Sequence, residues 1–440
     1  MGALLPIYPC FKQPQGRLRH VMEGPTHVLG FLQQGQTTVM FSQDDGVDVW
    51  LNTTGELLQR IAVKPEQKLD KVLLGHMAEF VLVGYFSHLQ HTMEVSVVST
   101  ETGVDLVNAV FPENFEAIAL SEEDNLLVVA TTIEADNSPM GSAQRCLLAV
   151  DVRSKDVVHT IPIDDVHQDG VTRLLFAAGS DENEHYILTF GSKVAQDLSL
   201  WDLEEEKLEF TLPLNVFVEH VQLHGAMAIC ASPREGVLLF VDLNEGKLVS
   251  RIDESDLVNM ADMVVSNNGQ FVCIATAESG INVYSREQLK VIKNFGERLM
   301  TSSGSRIAPT KMCIDHRERF VVVGYSSGEI IVYWLANGQT VLRLKGVEGH
   351  TKRINSLLMN SSDVLFSASD DKVAKMWNLA SELSAFEEFF LQVATFLTIL
   401  CTIHVCLDLS DRHIYSLTER WQRLQVGRHA AVRERRLEGG

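Results

Sequence analysis

His350, Ser369 and Asp371 place the three side-chain types of a nucleophilic triad in one short stretch of the chain. In a hydrolase the hydroxyl attacks, the imidazole takes its proton and the carboxylate orients the imidazole. Neither the order nor the spacing here is that of a nucleophile elbow, because Ser369 sits in Ser367-Ala-Ser369-Asp-Asp371 and not between two glycines. Catalysis is therefore not expected from these residues. His88-Leu-Gln-His91 has a spacing that metal sites use, but no cysteine or second histidine pair lies nearby to complete tetrahedral coordination, so no metal is expected. Asn244-Glu-Gly246-Lys247 is followed by Leu248 where a phosphate loop needs Ser or Thr, so no nucleotide and no other cofactor is expected.

The element that carries His350, Ser369 and Asp371 reads as strands. Ile354 to Leu358 and Val364 to Ser369 are apolar runs, a polar turn follows, and a third run ends at Trp377-Asn378. The same phrase occurs eight times, closing on Trp50, Val98, Val150, Trp201, Val241, Tyr284, Tyr333 and Trp377, with separations of 48, 52, 51, 40, 43, 49 and 44 residues. A period in that range is the signature of four-stranded propeller blades. The chain is therefore expected to be all-β, a propeller of about eight repeats closing as seven or eight blades. Trp50, Trp201, Tyr284 and Tyr333 serve as blade anchors. Gly55 and Gly103, each five residues past an anchor, are placed to supply a positive φ in the turn to the outer strand.

Gly349-His350, the strand serine, the turn aspartate and Trp377-Asn378 together resemble the WD-repeat family. That resemblance implies a hydrogen-bonded relay of His350, Ser369, Asp371 and Trp377 with a structural role, since a buried indole N–H needs an acceptor. Trp201-Asp202 carries the family dipeptide, whereas Glu235-Gly-Val-Leu-Leu-Phe-Val241-Asp242 and Ser327-Gly328-Glu-Ile-Ile-Val-Tyr333 keep the turn and lose the relay. Only repeat eight is expected to hold it complete. One well-written repeat among worn ones also resembles the propeller region of NACHT and WD-repeat proteins, without the phosphate loop of their ATPase.

A formal charge of −21 disfavours binding to nucleic-acid phosphates. Seven cysteines, mostly in apolar runs, fit reduced buried thiols and a cytoplasmic setting, and no charged secretory n-region precedes the apolar N-terminus. The organisation expected is an N-terminal segment, 1–24, that supplies a closing strand, a propeller over 25–380, and a C-terminal extension over 381–440. Leu4 to Phe11 is the candidate for that strand, although Pro6 and Pro9 limit its pairing. Phe389 to Leu407 holds nineteen residues without formal charge. It reads either as a membrane span or as the outer strand of blade eight plus a packed insertion, ahead of a partial ninth repeat and a basic tail.

The function expected is a noncatalytic scaffold binding other proteins. A closed ring hides its sheet edges and offers loops at fixed geometry. Thr131 to Arg145 lengthens repeat three on the Gly-His face, making Glu134, Asp136, Met140 and Arg145 candidate partner contacts, against the alternative of a neutral excursion. The acidic strings at 121–124, 181–184 and 204–206 read as a surface for basic segments or as solvated turns. The alternatives to a free scaffold are a propeller tethered to a membrane through 389–407 and a propeller enzyme using its central channel. Channel-facing strands reading Val, Leu, Ala and Ser weigh against the enzyme.

Overall fold

The eight apolar phrases fold into eight four-stranded antiparallel sheets in the computed structural model. It describes residues 18–388 except for short stretches between and at the ends of strands, among them 24–29, 75–79, 112–115, 122–125, 135–142, 179–184 and 193–195. The chain divides into two compact units, 1–380 and 381–440. Of the second unit the described residues are 381–388, which are helical.

Blades 1 to 7 occupy residues 30–62, 67–111, 117–162, 171–213, 220–253, 260–295 and 309–344, each running from an inner to an outer strand in chain order. Blade 8 takes its three inner strands from Ile354–Met359, Val364–Ser369 and Val373–Asn378. Its outer strand is Leu18–Glu23, antiparallel to Val373–Asn378 with Leu18 opposite Trp377 and Glu23 opposite Val373. The N-terminal segment does supply the closing strand, but through Leu18–Glu23, while Leu4 to Phe11 lies outside the described residues. The expectation that part of 389–407 forms the outer strand of blade 8 is corrected by that pairing, since the edge of Val373–Asn378 is already taken. The remainder of 389–440, including the candidate span and ninth repeat, lies outside the described residues. Among the described residues no helix is long and apolar enough to cross a membrane.

The core lies between blades. Each sheet turns its apolar faces to its two neighbours, so Leu147 and Ile161 of blade 3 pack with Leu174 and Trp201 of blade 4, and Cys230 and Val241 of blade 5 pack with Leu188 and Leu200 of blade 4. Trp50 of blade 1 packs against Val364, Phe366 and Met376 of blade 8, which joins the last blade to the first. Fully burying one such aliphatic side chain contributes about 1.5–3 kcal/mol. Burial repeated at every interface lets worn blades persist.

All eight anchors lie on the third strand of their blade, each at a β-bulge. Trp50 pairs with Leu57 while Val49 pairs with Gln59, so Leu58 is an extra residue on the outer strand. The same shift falls at Val98, Val150, Trp201, Val241, Tyr284 and Tyr333, and in blade 8 between Leu18 and His20, opposite Trp377 and Met376. A bulge increases local twist, which an outer strand far from the propeller axis requires.

The turn beyond the anchor explains the Trp-Asp and Val-Asp dipeptides. Asp202 Oδ1 accepts the backbone N–H groups of Glu204 and Glu205, and Asp242 and Asp151 serve their own turns in the same way. Five residues past the anchor the backbone is left-handed, with φ of +69° at Gly103, +60° at Gly246 and +73° at Gly338. Lys155 and Glu206 hold the equivalent positions at φ +69° and +53°. At Gly338 a Cβ would lie 2.3 Å from Cβ of Phe295, so glycine is needed for space as well as conformation.

Candidate interaction face

Antiparallel pairing puts the second-to-third turns and the connections from one blade to the next on one face. Blade 8 shows what fixes that face. Trp377 Nε1 donates to Ser367 Oγ at 2.8 Å, His350 Nε2 meets the same hydroxyl at 2.8 Å, and His350 Nδ1 lies 2.9 Å from Asp371 Oδ2. With Nδ1–H donating to the carboxylate, Nε2 is the acceptor and Ser367 O–H donates to it. Burial pushes the Asp371 carboxyl up, but hydrogen bonds from His350 and the backbone N–H groups of Thr351 and Val373 outweigh it and hold the group down at about 2. Lys375 donates to the carbonyls of Glu348 and Gly349 and lies over the Trp377 ring, anchoring the connection on which His350 sits.

The relay therefore runs through Ser367, and the assignment of Ser369 is corrected. Register decides the matter: Trp377 is opposite Leu365, which makes Ser367 its diagonal neighbour on the same face, while Ser369 lies a further two residues, about 7 Å, along the strand. Ser369 instead donates to the carbonyl of Lys352 and accepts the N–H of Asp371.

Blade 4 holds a second relay that the sequence did not reveal. His167 Nε2 lies 2.6 Å from Thr189 Oγ1, which also accepts Trp201 Nε1 at 3.0 Å. Threonine stands for serine, the histidine lacks its preceding glycine, and the run from hydroxyl to indole is two residues longer, so no motif marked it. The tyrosine anchors find other partners: Tyr284 donates to Glu254 Oε2 at 2.8 Å, and the hydroxyls of Tyr333 and Tyr325 meet at 2.7 Å. Trp50 Nε1 is buried without a hydrogen-bond partner among the described residues.

Gly324-Tyr-Ser326-Ser-Gly328 has the Gly-x-Ser-x-Gly pattern. Its serine lies in the turn between two strands of blade 7, where its N–H donates to the Ala308 carbonyl and its Oγ accepts the Ala308 N–H. That is a blade turn and not the strand-to-helix elbow of a hydrolase.

Of the candidate partner contacts, Glu134 and Arg145 belong to the hairpin Leu126–Glu134 and Ala143–Asp151, while Asp136 and Met140 lie outside the described residues. The strands take up 131–134 and 143–145, with Glu134 opposite Ala143, while 135–142 lies outside the described residues. Arg145 ties this end of the hairpin to its neighbours. Its backbone N–H donates to Asp164, its Nε donates to Glu116 Oε1 at 2.8 Å, and its guanidinium reaches the Gln168 carbonyl at 2.6 Å. Glu116 Oε2 in turn accepts the N–H of Val171, the first residue of blade 4.

Glu204, Glu205 and Glu206 are exposed on a third-to-outer turn, hence on the opposite face from His350. Segments 122–124 and 181–184 lie outside the described residues, as does His88–His91. Among the described residues no group of His, Cys, Asp or Glu is arranged to hold a metal ion. Cys146, Cys230, Cys273 and Cys313 are free and buried.

The channel-facing strands are more polar than expected. Arg173, His220, Asp262 and Lys311 stand on the inner strands of blades 4 to 7, which corrects the reading of those strands as Val, Leu, Ala and Ser. Inner strands leave one edge unpaired, and polar side chains from the preceding blade satisfy it. Arg173 donates to the Glu219 carbonyl, Gln222 spans the Met263 carbonyl and Val265 N–H, and Asp262 accepts the Met312 N–H.

Together these features define a β-propeller. The crystal structure of the computationally designed Ika8 protein is similar, with a TM-score of 0.61 at 17% identity over 82% of this chain and 100% of that one, a likeness of fold. No protein-family model matches the chain, and no curated protein matches it.

Proposed function

We propose that this propeller is a noncatalytic WD-type scaffold that presents the face bearing His350 and the 135–142 loop to partner proteins. The observation that carries the reading is the clamp at the hairpin end on this face. Arg145 is fixed by Asp164, Glu116 and Gln168, and Glu116 is fixed by the next blade, so the hairpin end offers a base that costs little to order on binding. The groups that could do chemistry on this face are already committed: Ser367 to Trp377 and His350, and Asp371 to His350 and the Thr351 N–H. The relay of blade 8 and the partial relay of blade 4 support the WD-type assignment, because both tie an indole to the inter-blade connection.

Replacing 135–142 with a short Gly-Ser turn, while keeping Arg145, tests this. Partners captured from cell extract by the parent chain are expected to be lost or strongly depleted with the variant, at unchanged unfolding midpoint. Capture of the same partners at the same yield would sink the assignment of this face.

A further inference from the structure

Arg173, His220, Asp262 and Lys311 sit at one register position of four consecutive inner strands. Arg173 is opposite Phe190, His220 opposite Ala231, Asp262 opposite Ala275 and Lys311 opposite Gly324, and each of those partners lies three residues beyond the one opposite its blade's anchor. The four therefore form an arc along the channel wall, near the ends of the inner strands closest to the interaction face. His220 senses the charges of all the others and of Glu219.

Within the arc the charges pair off with one exception. Lys311 Nζ meets Asp262 Oδ1 at 3.1 Å, and Arg234 Nε meets Glu219 Oε1 at 3.0 Å. Arg173 makes a single hydrogen bond, to the Glu219 carbonyl, and has no carboxylate partner among the described residues. Its guanidinium has five N–H donors and commits one of them to that carbonyl. The His220 ring makes no hydrogen bond among the described residues. Burial, which lowers the pKa of both Arg173 and His220, shows that the arc is partly withdrawn from water. A half-buried cation without a counter-ion is costly, and an anion supplied from the channel would relieve it.

We propose that the channel wall of blades 4 to 6 binds a single carboxylate group, held by the Arg173 guanidinium and the His220 ring. The charge count selects the ligand class. With Lys311 and Arg234 each compensated, one positive charge remains, which matches a monoanionic carboxylate better than a dianionic phosphate. The groups facing His220 are Arg173 from blade 4, Glu219 on its own blade, Asp262 from blade 6 and Lys311 from blade 7. Because its pKa lies below the ordinary value, His220 is neutral at pH 7 and gains a proton only as the pH falls further. Carboxylate binding therefore strengthens toward lower pH, and a bound carboxylate raises the His220 pKa.

The test follows the imidazole resonance of His220 in full-length protein carrying labelled histidine, assigned with His220→Gln. Butanoate, a blocked peptide bearing one glutamate, inorganic phosphate and chloride are titrated at matched ionic strength. A saturable shift with butanoate or with the peptide supports the site, and the tighter of the two tells whether it takes a free carboxylate or a protein side chain. Arg173→Leu is expected to weaken binding at least about tenfold, the loss of a charge-assisted hydrogen bond. Arg173→Lys keeps the charge without the fork and is expected to bind at an intermediate level, which covers the case in which Arg173→Leu fails to fold. No saturable shift with either carboxylate, a stronger response to phosphate, or binding unchanged in both Arg173 variants would overturn the proposal.

Discussion

Ser367→Ala should destabilise this protein far more than Ser369→Ala, although the two serines lie two residues apart on one strand. The Ser367 hydroxyl accepts the Trp377 N–H and donates to His350 Nε2, both at 2.8 Å and all three side chains buried. Its removal leaves a buried donor and a buried acceptor unpaired, at about 1–3 kcal/mol each, so roughly 2–6 kcal/mol in all. Ser369, also buried, serves the carbonyl of exposed Lys352 and the N–H of Asp371 in part-buried bonds and satisfies no buried side chain, so its loss should cost less, about 1 kcal/mol. Ser367→Thr keeps the hydroxyl, as Thr189 does for Trp201 in blade 4, and should recover most of the loss. Urea unfolding followed by tryptophan fluorescence and far-ultraviolet dichroism measures the three midpoints. Equal costs for the two alanine variants, or failure of threonine to rescue, would refute the reasoning from register.

Other consequences follow from the same geometry. Trp50 Nε1 has no partner among the described residues whereas Trp377 Nε1 is engaged, so Trp50→Phe should be the milder change and Trp377→Phe the costlier by about 1–3 kcal/mol in the same urea assay. Lys155→Gly removes a side chain held at φ +69° and should stabilise by up to about 1 kcal/mol, read as a raised unfolding midpoint. Burial pushes the thiols of Cys146 up to about 11 and of Cys230 and Cys273 up to about 12, with Cys313 also raised. Thiolate is the reactive form, so at pH 8 these four should resist alkylation in the folded protein and react in denaturant, as peptide mapping by mass spectrometry would show.

What the sequence disclosed is what repeats. An anchor recurring every 40 to 52 residues marks the third strand in all eight blades, because the same bulge and turn recur there. What it concealed depends on register. Ser367 and Ser369 are indistinguishable as strand serines until pairing with Val373–Asn378 shows which lies beside the indole. Arg173, His220, Asp262 and Lys311 stand tens of residues apart and become neighbours only when four sheets are laid side by side. Leu18–Glu23 is six residues, Leu-Arg-His-Val-Met-Glu, with three ionisable side chains, so its apolar signal is weaker than that of the longer run at 389–407. An outer strand needs little apolar character because one edge and much of its surface meet water.

Closure of the ring by the N-terminal strand is the claim on which the rigid platform rests. Glu23 and Val373 are paired across antiparallel strands, where Cα separations of about 4.5–5.5 Å fall within disulfide range. In the double variant Glu23→Cys, Val373→Cys, mild oxidation should form an intrachain disulfide between the two substituted positions in the monomer and raise the urea midpoint, as mapped by non-reducing mass spectrometry. Absence of that bond, or its appearance only between chains, would contradict the closed propeller.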